Sequence, residues 1–389
     1  MQISNRTTSS LGSVPEAFKS GPLDFSTEDF AQITRLNNRN AAGFNSAYDL
    51  VKLLRSRLTQ QSLVSIRETA DDMDDVEAEN RLGILGFITS SVESNFRKVC
   101  EPGCDGFAFA AFPALEGALT ALGYRLGRYP RDDCFTAWIN NPPYTWTGSD
   151  GEIRFGAAVR DIDAEMNFAA DLLIPIRKGE DSLADSVEAL REASNRIKKC
   201  KTIMADLANK PFKDEFQAMR NFLIPMIVNG RRYEPPNATY APGWNRLDVA
   251  VGNHDDRFTL QLDERVRHMA SSDVAKIVEE KRLPSITQIV ACSTGTGSDF
   301  MSPDRIAAMT ASLDQTTVEA VKAAAELAKT LSILAGVHMG AIRKNLPEAE
   351  DDTNATHSAG NGVSGRPVSL TQELRDMRIH HPLTRTKLS

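Results

Sequence analysis

Leu327, Leu331, Leu334, His338 and Ile342 recur at steps of four, three, four and four, the spacing that stacks side chains along one face of an α-helix. The stretch from Gln315 to Leu374 therefore opens with a long apolar-faced helix, and such a stripe is stable only when other helices cover it. A mainly helical fold follows. His338 lies on the buried stripe rather than on the wet face, and a buried imidazole needs a partner. One reading is a core histidine satisfied by a backbone carbonyl. The other is an axial ligand to haem iron, because a neutral imidazole on a rigid helix is how such a ligand is presented.

Beyond Asn345 and Pro347 the chain changes character. Glu348 to Asn354 is too polar to pack, and His357-Ser-Ala-Gly-Asn-Gly-Val-Ser-Gly365 is too rich in glycine for a helix. A loop of that composition lets backbone N–H groups approach a ligand closely. Helix returns after it.

At 389 residues the chain is long enough for one large domain or two, and 41% hydrophobic with 25% charged residues is ordinary for a globular protein. A net charge of -7 with no basic run argues against a nucleic-acid partner, which needs clustered Lys and Arg. No apolar run reaches the roughly 18 to 20 residues that span a bilayer, and Met1 to Leu23 lacks the apolar core of a signal peptide. A cytoplasmic protein without a membrane partner is expected. Cys100, Cys104, Cys134, Cys200 and Cys292 form neither a disulfide framework nor a zinc pattern.

Taken in order, residues 1–25 are expected to be disordered, 26–150 to form a small N-terminal helical region, 151–378 a large helical domain, and 379–389 a frayed tail. Ser26-Thr-Glu-Asp29 reads as a capping box, and Tyr48 to Arg55 as an amphipathic helix, with Leu36 to Asn40 as the loop between them. Asp71-Asp-Met-Asp-Asp-Val76 is a solvated acidic helix start, since it lacks the glycine and distal glutamate of a calcium loop. Apolar segments follow at Gly83 to Phe96 and Ala108 to Leu126. In Phe135 to Gly148 aromatics, prolines and asparagines crowd together. Such a connector either plugs the seam between two domains or lines a ligand pocket.

Long helices are expected over Phe155 to Ile176 and Asp181 to Ala208. Phe216-Gln-Ala-Met-Arg220 places one arginine among apolar residues shortly before Pro225. Val228 to Trp244 reads as a turn-rich excursion, ending in Asn245-Arg-Leu-Asp248-Val-Ala-Val-Gly252, where a buried Asp248 would need a polar partner. His254-Asp-Asp256 reads as a surface turn, Leu260 to Lys281 as a charged helix, Leu283 to Cys292 as a short connector, and Ser293 to Ser298 as a turn rather than a phosphate loop.

In chain order, Trp138-Ile-Asn-Asn-Pro142, Arg220, the Leu-Asp248-Val segment, His338 and Gly362-Val363-Ser364-Gly365 resemble the tryptophan/indoleamine 2,3-dioxygenase superfamily, and most of all its antibiotic-pathway branch. The likeness runs from about Leu36 to Leu374. It implies an all-α, indoleamine dioxygenase-like helical haem domain with a smaller N-terminal helical region. It implies haem b with His338 as proximal ligand, Arg220 on the substrate carboxylate, and Asp248 behind the histidine. Gly362, Val363, Ser364 and Gly365 would be the loop closing over the substrate, with Val363-Ser364 where the family has an adjacent glycine. The first 253 residues contain no histidine, which groups the chain with branches lacking a distal histidine. The implied activity is haem-dependent oxygenation or rearrangement of tryptophan or a related aromatic amino acid by dioxygen or another small oxidant, in secondary metabolism, by a monomer or homo-oligomer. Ring cleavage to N-formylkynurenine, a catalytically silent haem sensor, and a helical scaffold in which His338 is a core residue remain as alternatives.

Overall fold

The computed structural model describes residues 23, 25–38, 44–97, 106–139, 144–210, 212–252, 262–263, 265–295 and 313–345. The expectations for residues 1–22, for Cys100 and Cys104, for His254-Asp-Asp256, for the loop Gly362 to Gly365 and for residues 379–389 lie outside these.

Helix α1 (Thr27–Asn37) begins at the expected capping box, with Ser26 Oγ accepting the Asp29 N–H and the Asp29 carboxylate accepting the Ser26 N–H. Helices α2 (Phe44–Arg55), α3 (Gln60–Thr69) and α4 (Asp75–Arg97) follow, and Asp74 caps α4 by accepting the Glu77 N–H. Almost every side chain of α4 from Ala78 to Asn95 is buried, which makes it the central rod of the first bundle. Phe112 and Pro113 divide α5 (Phe107–Ala111) from α6 (Leu115–Leu126).

The second layer holds α7 (Asp150–Lys178), α8 (Val187–Asn209), α9 (Lys213–Arg220), α10 (Pro242–Val251), α11 (Ser271–Glu280), α12 (Ile286–Thr294) and α13 (Gln315–Asn345). α8 packs along both α7 and α13, and Leu190 and Ile197 of α8 share one core with Ile162 and Leu173 of α7 and with Leu327, Leu331 and Leu334 of α13. A hairpin of β1 (Met226–Val228) and β2 (Arg231–Tyr233) is the sole sheet among the described residues, and the fold is all-α. Among them, no helix is long and apolar enough to cross a membrane.

The structure corrects several readings. α1 runs through Asn37 instead of ending in an Asn-rich loop from Leu36, because the Asn37 amide finds buried partners in Trp146 O at 3.1 Å and Asn95 Nδ2 at 2.8 Å. Leu260 to Lys281 is not one helix: a short 3-10 turn, Val266–His268, gives way to extended backbone at Met269 before α11 starts. Leu283 to Cys292 is mostly helix α12, opened by a capping box between Ser285 and Gln288. Pro242 sits in the first turn of α10, so Trp244 is helical rather than part of a loop. The first hydrophobic core also takes in Met219, Phe222, Met226 and Val228 from the later part of the chain.

Candidate functional site

His338 occupies the stripe read from the sequence. Leu327, Leu331 and Leu334 before it are buried, as are Ala341 and Asn345 after it, while the side chain of Ile342 lies outside the described residues. The imidazole is half-buried, and burial pushes its pKa down to about 4. At neutral pH it is therefore uncharged and has a lone pair to give. Its ring meets Trp244 of α10 with centroids 5.8 Å apart at 53°.

Trp244 was not singled out from the sequence. The available signal was Pro242 followed by Trp244, Leu247 and Val251 at steps of three and four, which marks a helix with its proline in the first turn. Asp248 is 5% exposed and lies one turn after Trp244. Residues four apart share a helix face, so Asp248 stands on the side of α10 that carries Trp244 to His338.

Arg220 ends α9 and is half-buried. Burial holds its pKa below the ordinary guanidinium value. α9 is tied to α13 where the Phe212 backbone N–H donates to Asn345 Oδ1 at 3.0 Å. Arg220 is eight residues beyond that bond and His338 seven before it, or about 12 and 10 Å along their helices. The arginine and the histidine thus stand on two helices fastened to each other at one point.

The aromatic connector packs into the first core and against α7. Its single π-helical turn, Phe135–Ile139, buries Trp138, whose ring is edge-on to Phe155 at 5.2 Å and to Trp146 at 6.5 Å. Contacts continue from Trp146 to Phe87 at 5.8 Å in the first core and from Phe155 to Phe216 at 5.2 Å in α9. Glu152 closes the connector onto α7, its two oxygens accepting the Trp146 and Thr147 N–H groups at 2.7 Å each.

Buried charge was also missed, because composition does not reveal which charges pair inside. Arg128 meets Glu79 and Asp133, Arg131 meets Asp132, and Arg246 meets Glu280, all as buried pairs. His268 is 1% exposed, stacked on Tyr240 at 4.2 Å and edge-on to Tyr129 at 4.6 Å.

The donor chemistry at His338 suits haem. Axial ligation takes one neutral imidazole from a rigid element, and His338 is that. Among the described residues no group of three or more His, Cys, Asp or Glu side chains is arranged to hold a bare metal ion. No known family model matches the chain, and no curated protein matches it in sequence.

Proposed function

We propose that this chain is a haem-dependent oxygenase or oxidoreductase that holds haem b on His338 and oxidatively transforms tryptophan or a related aromatic amino acid. The observation that carries this reading is the half-buried His338 imidazole on the core stripe of α13, with Trp244 packed against it at 5.8 Å. When bound, the haem would supply an iron able to take up dioxygen or another small oxidant.

The remaining work falls to side chains. His338 donates its lone pair from a helix that cannot shift without disturbing Leu331 and Leu334. Asp248, one helical turn beyond Trp244 on α10, would orient the imidazole and raise its donor strength. Arg220 offers a fork that matches the carboxylate of a free amino acid. A role in secondary metabolism is the setting the family likeness suggests.

Absorbance of protein produced with added haem tests the reading. The wild type should show a Soret band at one haem per chain, and His338→Ala should lose it. A wild type without a Soret band overturns the proposal, and an unchanged band in the variant removes His338 as ligand. Product analysis with tryptophan and dioxygen separates an enzyme from a silent haem sensor, which leaves every aromatic amino acid intact.

A further inference from the structure

The first turn of α10, which carries Trp244, is held by a carboxylate on α7. Asp163 Oδ1 accepts the Gly243 backbone N–H at 2.7 Å, and Oδ2 accepts Asn167 Nδ2 at 2.9 Å. The two helices touch here: a Cβ on Gly243 would lie 2.4 Å from the Asp163 carbonyl oxygen and 2.9 Å from the Asn167 nitrogen. Only glycine fits such an approach, and α10 has no slack at this point. Asn167 passes the connection on, since its Oδ1 accepts Arg246 Nη1 at 2.9 Å. Arg246 also bonds Glu280 of α11 and Asp171 of α7. Gly243 and Arg246 therefore pin α10 on either side of Trp244.

We propose that Asp163 is the positioning residue of the His338 site: by holding Gly243 it fixes α10 against α7, and with it the place of the Trp244 ring beside His338. Its functional meaning rests on the haem reading above, while the geometry stands without it.

Asp163 changes charge near neutrality. Burial, with Asp273 of α11 adding like charge, pushes it up to about 7 against the pull of the Gly243 N–H, Arg246 and Asn167. The charges felt at Asp163 are those of Arg246 from α10 and Asp273 from α11, and its own charge is felt by Cys134, just before the connector, and Cys200 of α8. Burial raises both thiols, so they stay neutral here. A proton on Oδ1 would face the backbone N–H of Gly243, which cannot turn. The proton therefore goes to Oδ2, where it opposes the Asn167 amide. That amide must then rotate, which takes its oxygen away from Arg246 and loosens one of the two pins.

The test is 19F NMR of haem-free protein labelled with 5-fluorotryptophan. Its three tryptophans are assigned by Trp→Phe substitution one at a time. The Trp244 resonance should move with a midpoint near pH 7 while those of Trp138 and Trp146 stay still, and in Asp163→Asn it should not move in that window. His338, pushed down to about 4, titrates in a separate range. A Trp244 resonance that ignores pH between about 5 and 9 in the wild type, or that titrates identically in Asp163→Asn, overturns the proposal. Should Asp163→Asn not fold, Asn167→Ala serves, because it keeps the Gly243 bond but removes the relay. A full response in Asn167→Ala overturns the proposal too.

With haem added, Asp163→Asn should raise the dissociation constant about tenfold, the usual effect of losing a supporting contact around a metal ligand. Unchanged affinity despite a displaced Trp244 overturns the positioning role. A chain with no affinity for haem but a Trp244 that follows Asp163 refutes the haem reading and leaves the positioning of Trp244 intact.

Discussion

The backbone N–H of Phe212 donates to Asn345 Oδ1 at 3.0 Å, while Asn345 Nδ2 donates to Ala341 O at 2.9 Å. One buried amide thus ends α13 and starts α9, joining the helix of His338 to the helix of Arg220. Asn345→Ala would leave the Phe212 N–H buried without an acceptor, at a cost of about 1–3 kcal/mol in denaturant unfolding. Asn345→Asp keeps the acceptor and should lose less. Equal losses in the two variants would show that the bond to Phe212 does not matter to stability.

Arg220→Leu should leave the fold and haem binding unchanged but erase the preference for an amino acid over its decarboxylated amine. A charge-assisted fork to a carboxylate is worth about 1.5–3 kcal/mol. Titrating the haem spectrum with tryptophan and tryptamine reads the difference directly. Wild-type protein that binds the two equally well would take Arg220 out of the site.

Asp248→Asn should keep haem but raise its reduction potential, because a neutral amide lends the imidazole less anionic character and the ferrous state gains. Potentiometry on the loaded protein checks the direction. A potential that stays or falls would place Asp248 outside the shell around His338.

What the sequence made legible was local. The capping box of α1, the long α7 and α8, and the stripe that carries His338 all come from residues within a turn or two of one another. The site is assembled from contacts of another kind: Asp163 reaches Gly243 across 80 residues and Phe212 reaches Asn345 across 133. No periodicity encodes such pairs. Trp244 illustrates the limit, since its helix was hidden behind Pro242 and Gly243, residues that read as turn formers until Pro242 is seen in the first turn. The buried pairs of Arg128, Arg131 and Arg246 are hidden as well, because a charged residue reads as solvated until its distant partner is known. α12 was missed although its Ser285 and Gln288 carried the same signal that correctly marked α1.

Gly86→Ala tests the central rod of the first bundle. A Cβ at Gly86 would stand 2.2 Å from the Asp132 backbone nitrogen and 2.8 Å from its Cα. Backbone cannot give way as a side chain can, so the variant should lose about 1–3 kcal/mol or more. Gly117→Ala is the control, because its nearest neighbour is the flexible Arg67 Cδ at 3.2 Å. Melting temperatures that fall equally in both would contradict the close approach of α4 to Asp132.

Acid should destabilise the protein through His268. Burial is the main cause that holds its pKa well below 6.5, with the positive charges of Arg131 and Arg128 adding to it. Above about pH 6.5 the imidazole is neutral in both folded and unfolded chains and stability is indifferent to pH on its account. As pH falls below that value the unfolded chain takes up a proton that the folded chain refuses, so stability is lost at up to about 1.4 kcal/mol per pH unit. His338 adds a like loss in haem-free protein between about pH 6.5 and its own value of about 4. Asp163 acts in the opposite sense: the stability from its neutral carboxyl is complete below about pH 4 and disappears as pH rises through about 7. Urea unfolding of haem-free protein at pH 7 and pH 5 isolates the histidine. His268→Gln should lose about 1–2 kcal/mol less than the wild type over that interval, whatever its stability at pH 7. Identical losses in the two proteins would mean that His268 accepts its proton in the folded state, and that the ring held between Tyr240 and Tyr129 is not sealed from water.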